Sequence, residues 1–282
     1  MRKRPSGLTI ADHDGEGRQE ALLRTKAVSL TADPAEGGTV TEWNLFGPHL
    51  NLLDTLSRRY EPYHEQLKAR QPVASVPSGH APASIHDVLG VKEHDLEAHV
   101  IYDDHRRSAF HDYALQRMPS LEQVVRSTWG EGRLWSSEPF RLGAGAGALS
   151  VAMVRDVAGG RIAKTVRVDA TRPMGEFRYE LEDLEVPVIV LEFNISLRDE
   201  RYVRSAHAQA SVTEFRMEEA SSGVALELCI DPPTTLFRFP IETVSESEQG
   251  LERTYQGLCL MGFWELPPAR SWSSRLQWVV RT

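Results

Sequence analysis

Period-two alternation, repeated in short runs with turn residues between them, constrains this chain more than any other feature. Val224, Leu226, Leu228 and Ile230 alternate with Ala225, Glu227 and Cys229. Phe177, Tyr179 and Leu181 alternate with Arg178 and Glu180, and Leu276, Trp278 and Val280 alternate against Gln277 and Arg281. Successive side chains of an extended backbone point to opposite faces, so each run predicts a strand with one buried side. The run from Val186 to Leu197 is apolar on both faces until Glu192 and Asn194, which reads as a central strand covered on both sides. Turn chemistry separates these runs at Glu36-Gly37-Gly38, Ala158-Gly159-Gly160, Ser221-Ser222-Gly223 and Asp231-Pro232-Pro233. Trp43, Trp264 and Trp278 lie within strand patterns and are expected in the core. Strands do not alternate with helices, which disfavours a doubly wound parallel sheet. The reading is a mainly β chain, a large antiparallel sandwich forming one domain over residues 1–282.

One stretch breaks the pattern. Asn51 is placed to cap a helix whose Leu53, Leu56 and Tyr60 share a face until Pro62 interrupts it. Pro72, Pro77, Ser78, Gly79 and Pro82 then mark a loop, and polar, irregular sequence continues to about residue 117. Residues 51–117 thus read as a loop and short-helix insertion on a β scaffold, the kind of place where binding groups collect.

Charge and composition exclude some classes. A formal net charge of -8 repels phosphate backbones, so nucleic acid is not an expected partner. The basic N-terminus MRKRPSGLTI has no apolar run behind it and no stretch approaches a membrane span, so a cytoplasmic location is expected. Cys229 and Cys259, the only cysteines, are expected to be buried thiols rather than a disulfide.

Two patterns raise the question of a metal. Asp12, Asp14 and Glu16 stand at relative positions one, three and five of a run with Gly17 at six and Glu20 at nine. Alternate oxygens pointing inward around a Gly-permitted turn suit a hard cation, calcium, and the same residues also suit a solvated acidic turn. Eight of the 10 histidines fall between His49 and His111, but the gaps His80–His86, His94–His99 and His105–His111 match no zinc spacing, so they are read as surface or core histidines.

Four blocks carry a family resemblance, in order: EGGTVTEWNLFGPHLNLLDTLSRRYEPYHE (36–65), SIHDVLGVKEHDLEAHVIYDDHRRSAFHDYAL (84–115), VIVLEFNISL (188–197) and FRFPIETVSESEQGLERTYQG (237–257). Together they resemble the C-terminal part of the α-amylases and 4-α-glucanotransferases of glycoside hydrolase family 57. Tyr113 follows Asp112 where that family tends to carry His. The resemblance implies a galactose-mutarotase-like sandwich that packs on a catalytic barrel domain or subunit and helps bind an α-1,4-glucan or maltooligosaccharide. In the family the catalytic carboxylates come from the barrel, and nothing in this chain resembles its motifs, so no catalytic pair is assigned.

Against that resemblance, three groups of residues are candidates for sugar. His86, Asp87, Arg107 and Asp112 form a constellation whose carboxylates and guanidinium match vicinal hydroxyls, or whose Asp–Arg pairs staple the loop. Trp129 and Trp135, in WGEGRLW, offer indoles for stacking on pyranose faces, or fill core. Glu192 and Asn194 fall on one face of the central strand and read as a polar outer face, with a vestigial sugar pocket as the alternative. Two further functions stay open: a stand-alone aldose-1-epimerase-like enzyme using His86 with Asp87 or Glu192, and a purely structural interaction domain. A surface that once met the barrel would leave apolar groups exposed, which suggests a homo-oligomer.

Overall fold

The computed structural model describes residues 6–69, 96–129, 138–143, 147–247, 250–268 and 271–282. In chain order the strands are β1 (Gly7–Ala11), β2 (Glu20–Arg24), β3 (Val28–Asp33), β4 (Thr39–Leu45), β5 (Leu50–Asn51), β6 (Ala109–Leu115), β7 (Arg141–Leu142), β8 (Ser150–Val157), β9 (Gly160–Val168), β10 (Met174–Glu182), β11 (Val188–Ile195), β12 (His207–Glu219), β13 (Val224–Ser247), β14 (Gly250–Glu265) and β15 (Trp272–Arg281). Among the described residues there are two short helices, α1 (His64–Ala69) and α2 (Leu121–Val125), and one turn of 3-10 helix at Leu96–His99. No helix among the described residues is long and apolar enough to cross a membrane.

The strands form one continuous antiparallel sheet in the order β1-β2-β3-β4-β6-β11-β14-β13-β15-β10-β9-β8-β7, with β5 beside β4 and β12 beside β13. The sheet curls until β2 and β3 approach β8 and β9. Its two halves therefore share one core, which draws on both: Leu23, Leu30 and Trp43 from one side, Ile162, Val166, Phe177 and Trp278 from the other. Trp43 meets Trp278 edge-on, with ring centroids 6.5 Å apart. The alternating runs read from the sequence lie in β10, β13 and β15, with Phe177, Tyr179, Leu226, Leu276 and Trp278 buried as expected. Trp43, Trp264 and Trp278 are in the core.

Three local expectations fail for identifiable reasons. Asp231-Pro232-Pro233 does not end a strand. β13 runs through it, pairing β15 up to Asp231 and β14 from Thr235 onward. The prolines, which cannot donate to a ladder, sit where the strand exchanges one neighbour for another. Residues 51–60 do not form a helix. Asn51 Oδ1 accepts from the N–H groups of Trp43 and Leu53, and Leu52 donates its N–H to the Trp43 carbonyl, so the chain is held along β4 instead. Leu56 and Tyr60, expected on a packed face, are exposed. Finally, both cysteines are free, but Cys229 is exposed and only Cys259 is buried.

The turn Ala158-Gly159 joins β8 to β9 with Val157 opposite Gly160. Gly159 has φ +92°, and a Cβ on Gly160 would lie 2.2 Å from the Glu182 carbonyl oxygen, so both positions require glycine.

Candidate functional site

The 51–117 insertion is only partly a loop. It contains β6, which inserts between β4 and β11 and is buried along its whole length. Phe110 and Ala114 face the main core, whereas Tyr113 and Leu115 face a second, smaller core with Val188, Val190, Phe237, Phe239 and Phe263. This second core exists because α2 and its flanks, from Met118 to Trp129, pack over the outer face of β6, β11, β14 and β13. Glu192 and Asn194 point to that covered face and are 1% and 0% exposed. They are therefore not a polar outer face.

Burial of a carboxylate and an amide demands partners, and the segment before β6 supplies them. Arg107 Nη1 donates to Glu192 Oε1 at 2.8 Å and to Asn194 Oδ1 at 3.3 Å, while its Nη2 donates to Asp103 Oδ1 at 2.6 Å. Tyr113 donates its hydroxyl to Glu192 Oε2 at 2.8 Å, and His105 Nε2 lies 3.1 Å from Glu192 Oε1. Burial pushes the Glu192 carboxyl up, but His105 and Arg107 more than reverse this and hold it well below the usual carboxylate range. Asp103 is likewise opposed by burial yet drawn down to about 2 by Arg107 and Arg58. Arg58 clamps Asp103 through its backbone N–H and its guanidinium, at 2.8 Å and 2.6 Å. The result ties residues 55–60, residues 103–107 and β11 together. The space beside the cluster is about 10 Å³, room for one water at most. It is a closed structural network rather than an open catalytic site.

The sequence-derived candidates separate on this frame. Arg107 is brought to Glu192 rather than to Asp112. Asp112 lies on the opposite face of β6, in the strand and not in a loop. Its Oδ1 is 2.6 Å from Lys164 Nζ, and its Oδ2 accepts the Tyr179 hydroxyl at 2.8 Å. Both residues are buried staples; Arg107 also borders the cleft described below, and Asp112 does not. Trp129 is buried against Tyr113, ring centroids 5.0 Å apart, and belongs to the second core instead of forming a surface platform. His86, Asp87 and Trp135 lie outside the described residues. At the N-terminal loop, oxygens of Asp12, Asp14 and Glu20 come together, whereas Glu16 turns away to Arg18 at 2.6 Å.

Above the closed network lies an open cleft of about 530 Å³. Its walls come from residues 53–64, the stretch 99–107 and the β13–β14 ribbon. Glu42, Arg59, His99, Arg106 and Gln256 give it hydroxyl-binding groups of both polarities, with the buried Arg107 beneath them. Tyr63 and His64 anchor one wall by bonding the Val244 carbonyl at 3.2 Å and 3.0 Å. Leu56 and Tyr60 stand exposed on the same segment. Sequence reasoning missed this cleft, although the charged run Asp103-Asp104-His105-Arg106-Arg107 just before an apolar strand was a visible signal.

Comparisons with known proteins agree with this architecture. Residues 12–276 match the family described as "Alpha-amylase/4-alpha-glucanotransferase, C-terminal". The chain is 27% identical to Alpha-amylase 1 of Dictyoglomus thermophilum, covering 97% of this chain and 42% of that protein. It is 24% identical to a 4-alpha-glucanotransferase of Thermococcus kodakarensis, covering 90% of this chain and 38% of that protein. The crystal structure of the Thermococcus litoralis 4-alpha-glucanotransferase superposes with a TM-score of 0.76 at 18% identity, over 98% of this chain and 41% of that one. The chain thus spans about two-fifths of the length of these relatives.

Proposed function

This chain belongs to the family of α-amylase/4-α-glucanotransferase C-terminal domains, and from that premise we propose that it is a non-catalytic accessory module of an α-1,4-glucan-acting enzyme. It packs on a catalytic barrel carried by another segment or subunit, and its open cleft helps hold the glucan. One observation carries this reading. The relatives devote about three-fifths of their length to something other than this fold, while the fold keeps the network around Glu192 buried and presents a polar cleft beside exposed Leu56 and Tyr60. A sealed Glu192 cannot reach a glycosidic bond, whereas the cleft is wide enough for sugar rings. Excluding water along such a groove favours transfer to a sugar over hydrolysis.

Titration of the purified chain with maltoheptaose, read by calorimetry, tests the reading. Weak, saturable binding is expected, with a dissociation constant of about 1 mM, roughly 4 kcal/mol. Arg106→Ala removes an exposed guanidinium from the cleft and is expected to weaken binding about five- to tenfold without lowering the melting temperature, since a charged hydrogen bond is worth about 1.5–3 kcal/mol at most. No heat at 20 mM ligand would remove the glucan-holding role. Release of glucose or rearranged maltodextrins by the chain alone would remove the non-catalytic one.

A further inference from the structure

The loop between β1 and β2 runs from Asp12 to Gln19 at the free edge of the sheet, and Glu20 opens β2 beside it. One carboxylate oxygen each from Asp12, Asp14 and Glu20 lies within 4.8 Å of the others. Three negative groups this close repel one another, and none has a Lys or Arg partner among the described residues. The nearby cation, Arg18, is engaged with Glu16 and Glu36.

Glu20 is a second and independent sign. Its residue is 3% exposed, Oε2 accepts the His13 N–H at 2.6 Å, and Oε1 is buried with no hydrogen-bond partner among the described residues. A buried carboxylate oxygen left without a donor or a counter-charge is costly, and a cation beside the Glu20 carboxylate, shared with the other two acids, offsets that cost. The loop is already wrapped for this. Asp12 Oδ1 and Oδ2 accept from Gly15 and Gly17, and Asp14 Oδ1 accepts from the Glu16 N–H. Gly15 and Gly17 take φ near +83° and +84°, which lets the acids point inward.

We propose that Asp12, Asp14 and Glu20 bind one calcium ion, which pins the β1–β2 hairpin. Ligand chemistry favours calcium. An irregular, partly hydrated set of carboxylate oxygens suits its flexible shell, whereas magnesium demands a near-ideal octahedron that it rarely takes from an all-protein cage. Water completes the shell on the exposed side of Asp12 and Asp14. Glu16, held by Arg18, is not a ligand.

The test uses the whole chain, stripped with EDTA and titrated with calcium chloride alone. Calorimetry should show one site per chain with a dissociation constant between about 10⁻⁵ and 10⁻³ M, the range of open, low-charge calcium sites. The melting temperature should rise by at least about 2 °C at 10 mM calcium and not with the same magnesium. Asp14→Asn should melt with the stripped wild type yet bind at least about tenfold more weakly. Glu20→Gln should behave likewise in binding. No heat and no melting shift up to 10 mM calcium would overturn the proposal. So would Asp14→Asn binding as tightly as wild type, and an equal response to magnesium would overturn the choice of metal.

Discussion

Replacing Lys164 by Met is expected to destabilise the chain by about 3–5 kcal/mol. Lys164 is fully buried on β9 and spans to β6, where Nζ meets Asp112 Oδ1 at 2.6 Å. The same ammonium donates to the carbonyls of Gly37 and Phe110, both at 2.7 Å, so all three of its protons are used. Burial draws the lysine pKa down and the Asp112 charge works against that. Methionine keeps the volume but leaves Asp112 with the Tyr179 hydroxyl at 2.8 Å and Arg155 at 3.7 Å. An under-compensated carboxylate inside the sandwich is what costs the stability. The melting temperature should fall by roughly 10 °C. Asp112→Asn combined with Lys164→Met should recover at least about half of the loss, because the stranded charge is gone. Urea denaturation of the single and double variants checks both parts, and a single variant within about 1 kcal/mol of wild type would refute the staple.

Acidification should begin to destabilise the chain well above the pH at which ordinary carboxylates protonate. His111 is buried on β6 with Ser108 Oγ 2.7 Å from its Nε2 and the His105 ring 4.7 Å away. Burial, with neighbouring His105, Lys164 and Arg107, pushes its pKa down from 6.5 to about 3, while Glu192 opposes. The folded state therefore stays neutral there while the unfolded chain takes a proton. Stability is complete above about pH 6.5 and falls as the pH drops towards 3, by about 2 kcal/mol at pH 5. Asp103, drawn down to about 2, adds its own loss only lower, between about pH 4 and 2. His111→Asn should cost stability at pH 7.5 but remove about 2 kcal/mol of the difference between pH 7.5 and pH 5. Denaturation midpoints at those two values measure this, and identical pH slopes for variant and wild type would exclude His111 as the source.

What could be read from the residues was whatever depends on local repetition. The strands β10, β13 and β15 follow from the alternation of Phe177, Leu226 and Trp278 with polar neighbours, and β11 from a run apolar on both faces, because a strand's faces are set by its own backbone. Lys164 was readable in the same way, since it falls in phase with Ile162, Val166 and Val168 on the inward face of β9, and an inward lysine calls for an inward acid. The four family blocks likewise needed only order and identity, and they pointed to the family to which residues 12–276 belong.

Tertiary structure alone decided which charged residues are inside. Arg107 and Asp112 were sensible sugar ligands by type, yet they sit on opposite sides of a strand that no local pattern announced, since β6 carries His111, Asp112 and Tyr113 through the middle of the sheet. Glu192 and Asn194 alternate as a solvent face does, and only the cover supplied by residues 103–107 and 118–129 turns that face inward. Residues 51–60 have helical spacing, and the Trp43 backbone outbids it through Asn51. In each case the deciding partner lies far away in the chain. Burial of a polar group is a property of what packs over it, and a hydrogen bond is a property of two segments at once, so neither is written in the spacing of one.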